Sequence, residues 1–544
     1  MNKFQKMIVF ISGLLLIGVS ADIRTFANEA PRPEVRALWV DAFRDGFKTP
    51  AQVDQLIRDA VDANINTLVV QVRRRGDAYY NQSIEPRTED PALQPGFDAL
   101  QDLIEKAHAQ HIEVHAWLNT LVAWNKTTPP SAPNHVWNLH GPQTVGRDNW
   151  ISYSRTYDKN NLLWSEALKS SYYLDPGHPD AVDYTVKVYL NVVKNYDVDG
   201  IHLDYSRYAG KGWGFNPTSI ARFNARYGGY GMPNPDDLNW QAWQREQTAN
   251  LVRKIYLNAI AVKPRMKVSS AVITWGDGPV SEGDWEISRA YAEVFQDWQG
   301  WLKEGIIDVV MPMNYFSEWN PTQQLWYHRW IDWEKNHQHG RQIVIGPGNF
   351  MNYIDDTLEQ IRKAQAPSSS GNHTAGIILF AYGASHLYSS DDFKSASASK
   401  NFPRQPHQYL SESNSWFFKL LAKEGGYFDP VWNTFIATLP VFPDKVPVPE
   451  MPWKTRPQKG YLMGKVTGQN NISLDYLKII VEEVGEQDLN CRREAYTDGN
   501  GWFGMAELPP GQYRIRVDNE LVKDEKTVQI VIHPGRVSEV DLSI

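Results

Sequence analysis

The sequence predicts a (β/α)8 barrel followed by a small all-β sandwich. Between residues 34 and 381, apolar runs of strand length alternate with stretches of helical period, and they amount to about eight strand–helix units, as such a barrel requires. From residue 460 onward the pattern changes to short strands separated by turns rich in Gly, Pro and Asn, which is typical of a sandwich. The length of 544 residues also favours more than one domain.

The first three strands are predicted at residues 34–42, 67–72 and 112–119. Thr49 is expected to cap the helix between the first two, since a threonine hydroxyl accepts backbone N–H groups of a first helical turn. A doubly wound open sheet is the alternative arrangement of such units. No G-x-G-x-x-G turn follows the first strand, and this absence favours the barrel.

The segment of residues 120–175 interrupts this alternation. A loop of such length is usually functional or disordered, and this one is too rich in Trp and Tyr for simple disorder. The alternation resumes with a helix and then the fourth strand, which ends at Asp204. The remaining strands are predicted at 267–273, 308–316, 342–346 and 375–381, and the helices around 180–195, 219–262, 290–303, 322–336 and 355–366.

The N-terminus is predicted to be an export signal. Two lysines precede an apolar run at residues 7–20 that is short for a membrane span, and cleavage is expected after Ala21 or Ala27. An uncleaved anchor is the alternative. The signal at residues 1–27 predicts a mature protein in the periplasm or outside the cell, with no further membrane association.

Three further segments are predicted after the signal. The barrel occupies residues 30–438, a Pro-rich stretch at 439–459 is a semi-rigid linker or a strap over a surface, and the sandwich occupies 460–544. Cys491 is the only cysteine, so the chain forms no intramolecular disulfide.

The composition narrows the class of ligand. The net charge of −8 disfavours nucleic acids and anionic membranes as partners. The 21 Trp and 26 Tyr residues provide flat faces that stack on sugar rings, although the same residues also fill large cores.

The candidate binding residues come from the ends of the predicted strands. In a (β/α)8 barrel the reacting groups lie at the carboxyl ends of the strands. Here those ends carry acids and amides for hydroxyl groups, aromatic faces for sugar rings, and arginines for acidic or acyl groups. The candidates for substrate binding are Asp41, Arg73, Asp77, His115, Trp117, Asn119, Tyr205, Arg207, Trp275, Asn314, Tyr315 and Tyr382.

Asp204 and Glu318 are the predicted catalytic carboxylates. Glycoside hydrolysis uses two carboxyl groups, ~5–5.5 Å apart for retention or ~6.5–9.5 Å apart for inversion. Asp204 is either a reacting group or the ion-pair partner of Arg207. Glu318 follows the sixth strand among aromatic residues, where burial would raise its pKa as an acid catalyst requires; a solvated loop carboxylate is the alternative. Asp41 and Asp77 are the rival partners.

Three other polar residues are assigned to structure. Asp199 and Asp308 precede their strands, which places them at the opposite end of the barrel, where stability rather than chemistry is expected. His202 lies one step deeper than Asp204 on the same strand face, as expected of an interior histidine.

Six short pieces of the barrel region occur together in a specific order: 36–40 (RALWV), 71–73 (QVR), 76–78 (GDA), 114–119 (VHAWLN), 200–205 (GIHLDY) and 311–316 (MPMNYF). With these pieces, residues 34–400 resemble the glycosyl hydrolase-like 10 family of exported bacterial proteins. The resemblance implies a TIM-barrel glycosidase-like domain, Asp204 as the acidic position after the fourth strand, and cell-wall glycan as the substrate class. Some relatives carry two consecutive acids there, whereas Tyr205 takes the second place here.

Three pieces of the C-terminal region are informative: residues 464–466 (GKV), 497–503 (TDGNGWF) and 508–513 (LPPGQY). With them, this region resembles carboxypeptidase regulatory-like, or transthyretin-like, β-domains. The resemblance implies an accessory domain that spaces or binds.

The sequence therefore predicts an exported glycoside hydrolase that cleaves O-glycosidic bonds of a polysaccharide, with peptidoglycan glycan as the expected substrate. No cofactor is expected, since neither a P-loop nor a Cys/His cluster of zinc-site spacing occurs. One alternative is a non-catalytic glycan-binding protein on a degenerate barrel. Another is a metal-dependent hydrolase, such as a deacetylase, that would hold its metal with Asp and His side chains.

Overall fold

The computed structural model contains the predicted barrel and, after it, a two-stranded hairpin and two small β-sheets. It describes residues 31–155, 171–387, 414–429, 434–468, 474–484, 492–518 and 527–544. The predicted signal at residues 1–27, part of the aromatic segment and Cys491 lie outside the described residues. Of the helices within those ranges, none is both long and apolar enough to cross a membrane.

The elements of the barrel follow the predicted order. The first half comprises β1 (Val35–Val40), α1 (Pro50–Asp62), β2 (Thr67–Arg73), α2 (Ala99–His108), β3 (Glu113–Asn119), β4 (Val122–Trp124), α3 (Val136–His140), β5 (Tyr172–Tyr173), α4 (Pro179–Asn195) and β6 (Gly200–Asp204). The second half comprises α5 (Pro217–Tyr227), α6 (Leu238–Val262), β7 (Lys267–Val272), α7 (Glu282–Trp285), α8 (Arg289–Ala292), α9 (Trp298–Glu304), β8 (Val309–Asn314), α10 (Pro321–Asn336), β9 (Gln342–Pro347), α11 (Ile354–Gln365) and β10 (Gly376–Phe380).

The barrel closes in the strand order β1-β10-β9-β8-β7-β6-β3-β2, with every neighbouring pair parallel. Side chains alternate along each strand between the barrel interior and the surrounding helices. On β1, Ala37 and Trp39 lie inside the barrel, whereas Leu38 and Val40 pack with the helices. The carboxyl ends of all the strands therefore meet at one mouth, and the predicted (β/α)8 fold is confirmed.

The C-terminal region begins with α12 (Asn414–Ala422) and a hairpin of β11 (Gly425–Asp429) and β12 (Thr434–Thr438), followed by the short α13 (Pro452–Thr455). Seven strands then form sheets in the orders β16-β13-β19 and β15-β14-β17-β18, which enclose a core of their own. They are β13 (Gly460–Thr467), β14 (Lys478–Glu483), β15 (Arg492–Tyr496), β16 (Trp502–Leu508), β17 (Gly511–Asp518), β18 (Thr527–Ile532) and β19 (Val537–Ser543).

Two parts of the secondary structure differ from the prediction. The single helix expected around residues 290–303 is divided into α8 and α9. Phe295 adopts a left-handed backbone conformation (φ 55°), and Asp297 starts a new helix by accepting the N–H of Gly300 at 3.0 Å. In the C-terminal region the sequence predicts four of the seven strands and omits β15, β16 and β19.

The C-terminal sheets contact the helices of the barrel through ion pairs. Lys254 on α6 donates to Asp498 Oδ2 at 2.6 Å, and Arg222 on α5 binds Asp475 through two hydrogen bonds of 2.6 and 2.9 Å. Residues 33–544 accordingly form one compact unit.

Residues 439–459, here called the strap, lie across the amino-terminal end of the barrel. The N–H of Glu34, just before β1, donates to the Pro447 carbonyl at 3.0 Å. Met451 packs inside the barrel with Val35 and Val309, the first residues of β1 and β8. The strap thus closes the end opposite the mouth.

Gly200, the first residue of β6, makes room for a buried histidine. A Cβ atom at this position would lie 2.7–2.8 Å from three ring atoms of His115 on β3. We expect Gly200→Ala to lower the free energy of unfolding by about 1–3 kcal/mol, because the interior is overpacked. Urea denaturation measures this loss. Gly283→Ala is the control, since nothing lies within 4 Å of its added Cβ, and an equal loss in both variants would contradict the steric explanation.

Candidate active site

A cavity of about 130 Å³ opens at the mouth of the barrel. Every barrel strand except β9 contributes to it, either from its last residues or from the loop that follows. The lining is mostly aromatic and contains one carboxylate and one guanidinium: Trp39, Phe43, Gln71, Trp117, Asp204, Tyr205, Arg207, Ala271, Met313, Tyr315 and Phe380.

Asp204 is the carboxylate of this cavity. It ends β6 opposite Asn119 of β3 and is 5% exposed. Its Oδ1 accepts the backbone N–H of Tyr205 at 2.7 Å and lies 3.4 Å from Nη1 of Arg207. Burial raises the pKa of Asp204 above its ordinary value, and Arg207 and the Tyr205 N–H counteract only part of this effect. Asp204 is thus a carboxyl group with an increased tendency to hold a proton.

Tyr205 and Arg207, which follow Asp204, are held in place by the backbone conformation of Tyr205 and by contact with each other. Tyr205 has a φ of 55°, a left-handed conformation that is rare for a residue other than glycine and tends to occur at functional sites. This turn aims the Tyr205 N–H at Asp204. The Arg207 guanidinium lies over the Tyr205 ring at 4.4 Å, so the positive charge faces the cavity. Burial and the charge of Asp204 raise the pKa of Tyr205 to about 12, so its hydroxyl is a hydrogen-bond donor at neutral pH.

His202 fixes the floor of the cavity. The indole N–H of Trp39 donates to His202 Nε2 at 3.1 Å, which leaves the proton of the imidazole on Nδ1, 2.9 Å from Ser269 Oγ. Burial lowers the pKa of His202 well below its ordinary value, so the ring stays neutral and keeps accepting from Trp39. His202 is therefore an interior histidine, as predicted, and it positions Trp39.

A chain of amides holds the opposite wall. Gln71 Oε1 accepts the backbone N–H of Ala42 at 3.0 Å, and its Nε2 donates to Asn119 Oδ1 at 3.0 Å. The same oxygen of Asn119 accepts the indole N–H of Trp117 at 3.1 Å. Asn119 thus orients the Trp117 ring without lining the cavity itself.

The aromatic wall comes from β8, β10 and their neighbours. The Tyr315 ring stacks on Phe380 with centroids 5.1 Å apart, and its edge contacts Trp39 at 6.4 Å. Phe43, 54% exposed, stands at the rim. The arrangement provides aromatic faces around one carboxyl group and one guanidinium group. This combination suits a sugar ring, which has apolar faces and polar edges.

The structure brings together only some of the residues predicted for the site. Asp204, Trp117, Tyr205, Arg207 and Tyr315 line the cavity. Asn119 supports it, whereas Asp41 follows β1 with a buried side chain and does not line the cavity.

Asp41 and Arg44 form a closed turn. Asp41 accepts the N–H groups of Phe43 and Arg44 at 2.8 and 3.1 Å, and its second oxygen binds Arg44 Nη1 at 2.9 Å. Burial is the main cause of the raised pKa of Tyr315, and the charges of Asp204 and, to a smaller extent, Asp41 raise it further, so both carboxylates act on that phenol.

Arg73 and Asp77 have structural partners. Arg73 forms a buried bidentate pair with Glu85, through bonds of 2.7 Å each. Asp77 accepts the Thr88 hydroxyl at 2.7 Å and the Arg75 N–H at 3.1 Å. Neither lines the cavity, so the structure gives no contact through which either would bind substrate there.

His115 and Asn314 are displaced from the mouth for two different reasons. His115 faces the interior but lies one layer below Trp117, beside Gly200. Asn314 points outward and donates to Glu334 of α10 at 2.8 Å. Because neighbours on a strand face opposite ways, Asn314 and Tyr315 did not both have access to the interior.

Trp275 and Tyr382 also lie outside the cavity lining. Trp275 is 39% exposed and lies under the Arg289 guanidinium, 5.0 Å away. The Tyr382 hydroxyl donates to Asp59 of α1 at 2.8 Å, and its ring stacks on Phe418 of α12. Phe380, two residues earlier, takes the place at the cavity that the sequence suggests for Tyr382.

Glu318 is not a lining residue either. Its carboxylate binds Lys363 of α11 and accepts Gln324 Nε2 of α10 at 2.6 Å, while its backbone N–H donates to Asn352. Lys363 and Gln324 lie on helices outside the strands, and Asn352 lies in the loop before α11. Glu318 is absent from the cavity lining, and its pairing with Asp204 stays a prediction.

We expect Glu318→Gln to keep near wild-type kcat/KM, because the substitution alters the helical layer rather than the cavity. It should lower the free energy of unfolding by about 1–3 kcal/mol, since Lys363 loses its nearer carboxylate partner and keeps the more distant Glu359, at 3.9 Å. Steady-state kinetics and urea denaturation of the same preparation measure the two effects. A loss of activity as large as that of an Asp204 variant would restore Glu318 to the catalytic pair.

The lining residues absent from the sequence-based candidates are Phe43, Gln71, Ala271, Met313, Phe380 and, above all, Trp39. The signal for Trp39 was present, because it precedes Asp41 by two positions and so shares its strand face. The same rule connects Met313 to Tyr315.

Among the described residues, no group of three or more His, Cys, Asp or Glu side chains is arranged to hold a metal ion.

Comparisons with known proteins identify a family and several related sequences. A family model described as Glycosyl hydrolase-like 10 matches residues 34–363. Glycosyl hydrolase YngK of Bacillus subtilis (strain 168) is 27% identical over 380 residues, which cover 66% of this chain and 69% of that protein. Glycosyl hydrolase DigH of Escherichia coli (strain K12) is 27% identical over 261 residues, 46% of this chain and 55% of that protein.

Among solved structures, the glycoside hydrolase domain of PgaB (BpsB) from Bordetella bronchiseptica is similar to this chain with a TM-score of 0.47 and 16% identity. The similarity covers 67% of this chain and 96% of that domain.

Proposed function

This chain belongs to the glycosyl hydrolase-like 10 family, and on that premise we propose that it hydrolyses O-glycosidic bonds of a polysaccharide with Asp204 as the proton-transferring acid. The observation that carries the proposal is the position of Asp204. It is a buried carboxyl group with a raised pKa, at the carboxyl end of a barrel strand, and it lies among aromatic faces suited to sugars.

The role of an acid follows from the environment of this carboxyl group. A general acid must hold its proton until the leaving oxygen takes it, and burial favours the protonated form. Arg207 Nη1, 3.4 Å from Oδ1, then stabilises the carboxylate that remains after transfer. The Tyr205 N–H, 2.7 Å from the same oxygen, keeps the group oriented.

We propose Asp41 as the second catalytic carboxyl group, beside Asp204. It follows Trp39 on the same strand face and acts electrostatically on Tyr315 together with Asp204. Its charge is held beside Arg44, as suits a group that activates water. For Asp41 to reach water, its bonds to the turn would open when substrate binds.

We further propose cell-wall glycan, specifically peptidoglycan strands, as the substrate, and a location outside the cytoplasm. Support comes from the predicted export signal, which would bring the enzyme to that polymer. The aromatic lining fits sugar faces, and Arg207 offers a donor for the acyl or acidic groups of amino sugars.

The test is turnover of purified cell-wall glycan strands, with cellulose and chitin oligosaccharides as comparison substrates. New reducing ends, identified by mass spectrometry of the products, are expected from the cell-wall glycan. Cleavage of the comparison substrates alone would contradict the proposed substrate but retain the chemistry. Retention of glycan without any new ends would favour the alternative, a glycan-binding protein on a barrel that has lost its activity.

A further inference from the structure

A second cavity lies at the opposite end of the molecule from the mouth. It measures about 390 Å³, within the range of roughly 300–1,000 Å³ typical of small-molecule sites, and lies where the strap meets α9 and the C-terminal sheets. We call it the strap groove and define it by Lys303, Arg341, Arg456, Lys459 and Glu507.

The strap groove is positively charged although the chain as a whole carries −8. Glu507 is its one carboxylate, and it is already bound to Arg341 at 2.6 Å. Arg456 pairs with Glu450 at 2.9 Å. Lys303 and Lys459, in contrast, form no ion pair with any residue in the described ranges.

Arg341 adds an unused donor to this charge. Its side chain is 5% exposed, and Nη2 donates to the Gly305 carbonyl at 3.2 Å as well as to Glu507. Nε, however, finds no acceptor in the described part of the chain. The guanidinium is held in place by the Trp453 ring, 4.6 Å away. A buried N–H without an acceptor is unfavourable, so an incoming oxygen atom would be stabilised there.

We propose that the strap groove binds an oxyanion, the phosphate or carboxylate group of a larger molecule. Arg341 Nε, which is buried in this structure, would donate after a small shift of its side chain, and Lys303 and Lys459 would supply the surrounding charge. The volume of the groove accommodates more than the anionic group alone. Since the strap lies across the end of the barrel away from Asp204, an anionic polymer bound here would hold the enzyme without occupying the active-site cavity.

Affinity electrophoresis of the full chain tests the proposal. Gels contain polyphosphate, polygalacturonate or neutral dextran, and mobility is compared at low and high salt. Wild type should be retarded by at least one polyanion, with retardation falling as salt rises, and not by dextran. Retardation by polyphosphate alone identifies phosphate as the ligand group, by polygalacturonate alone carboxylate, and by both a general oxyanion site.

The variants locate the binding. Lys303→Glu/Lys459→Glu should weaken the apparent affinity about tenfold or more. The control is Lys194→Glu/Lys465→Glu, which changes the net charge equally. Both of its lysines are exposed and lie outside the groove, so this variant should bind as wild type does. Arg341→Lys, which keeps the charge but removes Nε, should also bind more weakly.

Three results would overturn the proposal: no retardation of wild type, equal loss in both double variants, or full binding by Arg341→Lys. Turnover of a neutral oligosaccharide, or of whichever glycan the enzyme cleaves, should be unchanged in Lys303→Glu/Lys459→Glu. The fate of this site is thereby separable from that of the proposed hydrolysis.

Discussion

Replacement of Asp204 by asparagine is expected to lower kcat/KM for glycan hydrolysis by about 10²–10⁴-fold, the contribution that a positioned acid or base usually makes. Asparagine has nearly the same shape and still accepts the Tyr205 N–H, so the cavity should keep its form. What it loses is the acidic proton that a carboxyl group can transfer to the leaving oxygen. The measurement is initial-rate kinetics, with circular dichroism and thermal unfolding to verify that the variant is folded.

The pH dependence gives a second readout of the same residue. As an acid, Asp204 works in its protonated form, so activity should fall as pH rises through its pKa. Because burial raises that pKa, the fall should lie above the ordinary aspartate value of about 3.9. Removal of the Arg207 charge by Arg207→Met should move the fall to still higher pH, since arginine favours the ionised form.

Asp197→Asn is the matched control for Asp204→Asn. Asp197 is an exposed aspartate three residues before β6, so its substitution makes the same chemical change outside the cavity. It should leave kcat/KM unchanged. If Asp204→Asn retained full activity while folded, the assignment of Asp204 as the acid would be wrong. If glycan bound to it with unchanged affinity but was not cleaved, the loss would be assigned to chemistry rather than to binding.

The barrel was predictable because its signal is local and repeated. Each strand buries both faces, so its apolar run is continuous, and each helix shows the period of one buried face. Because Asp204 ends the fourth strand of the barrel, its position at the mouth follows from the strand count alone. The boundaries of most barrel elements agree with the prediction to within a few residues.

The site was less predictable because partners are set by packing across the chain. Nothing near Glu318 in sequence announces Lys363, which lies 45 positions away and binds its carboxylate. Arg73 likewise has its charge neutralised by Glu85 from a loop. A sequence reveals that a residue is charged and near a strand end, but whether its charge is already paired depends on the fold.

The strands β15, β16 and β19 show a different limit. In β15 and β19 at least half of the side chains are polar, so no apolar run marks these strands. β16 (WFGMAEL) is mostly apolar and lies between the core of its own sheets and the helices of the barrel, so its composition favoured a strand that the prediction omitted. β15, with the sequence RREAY, contains four polar or charged side chains and one alanine. Its membership in the sheet is decided by pairing with β14 and not by its own hydrophobicity.

Asp308→Ala is the substitution for which we expect the largest loss of stability, about 3–5 kcal/mol, as is usual when one partner of a buried ion pair is removed. Asp308 is fully buried below β8. Its Oδ2 binds Lys454 Nζ of the strap at 2.9 Å and accepts the Val268 N–H at 2.8 Å. Its Oδ1 accepts the Trp453 indole N–H at 2.7 Å and the Tyr256 hydroxyl at 3.1 Å. Urea denaturation measures the loss.

Asp199→Ala is a control with the same local geometry. Asp199 precedes β6 as Asp308 precedes β8, and its Oδ2 likewise accepts a backbone N–H of the neighbouring strand, that of Val114, at 2.8 Å. Its side chain, however, is 33% exposed and its other partner is His108 rather than a buried lysine. Its loss should cost only about 1 kcal/mol, the usual contribution of a hydrogen bond.

The double variant Asp308→Ala/Lys454→Met decides whether the cost comes from the ion pair. Once the unpaired ammonium is gone, most of the loss should be recovered, because the strap then buries an apolar chain in the same place. If the double variant were as unstable as Asp308→Ala, the cost would come from the lost bonds to Trp453, Tyr256 and Val268. The strap would then be held by hydrogen bonds, with the charge of Lys454 contributing little.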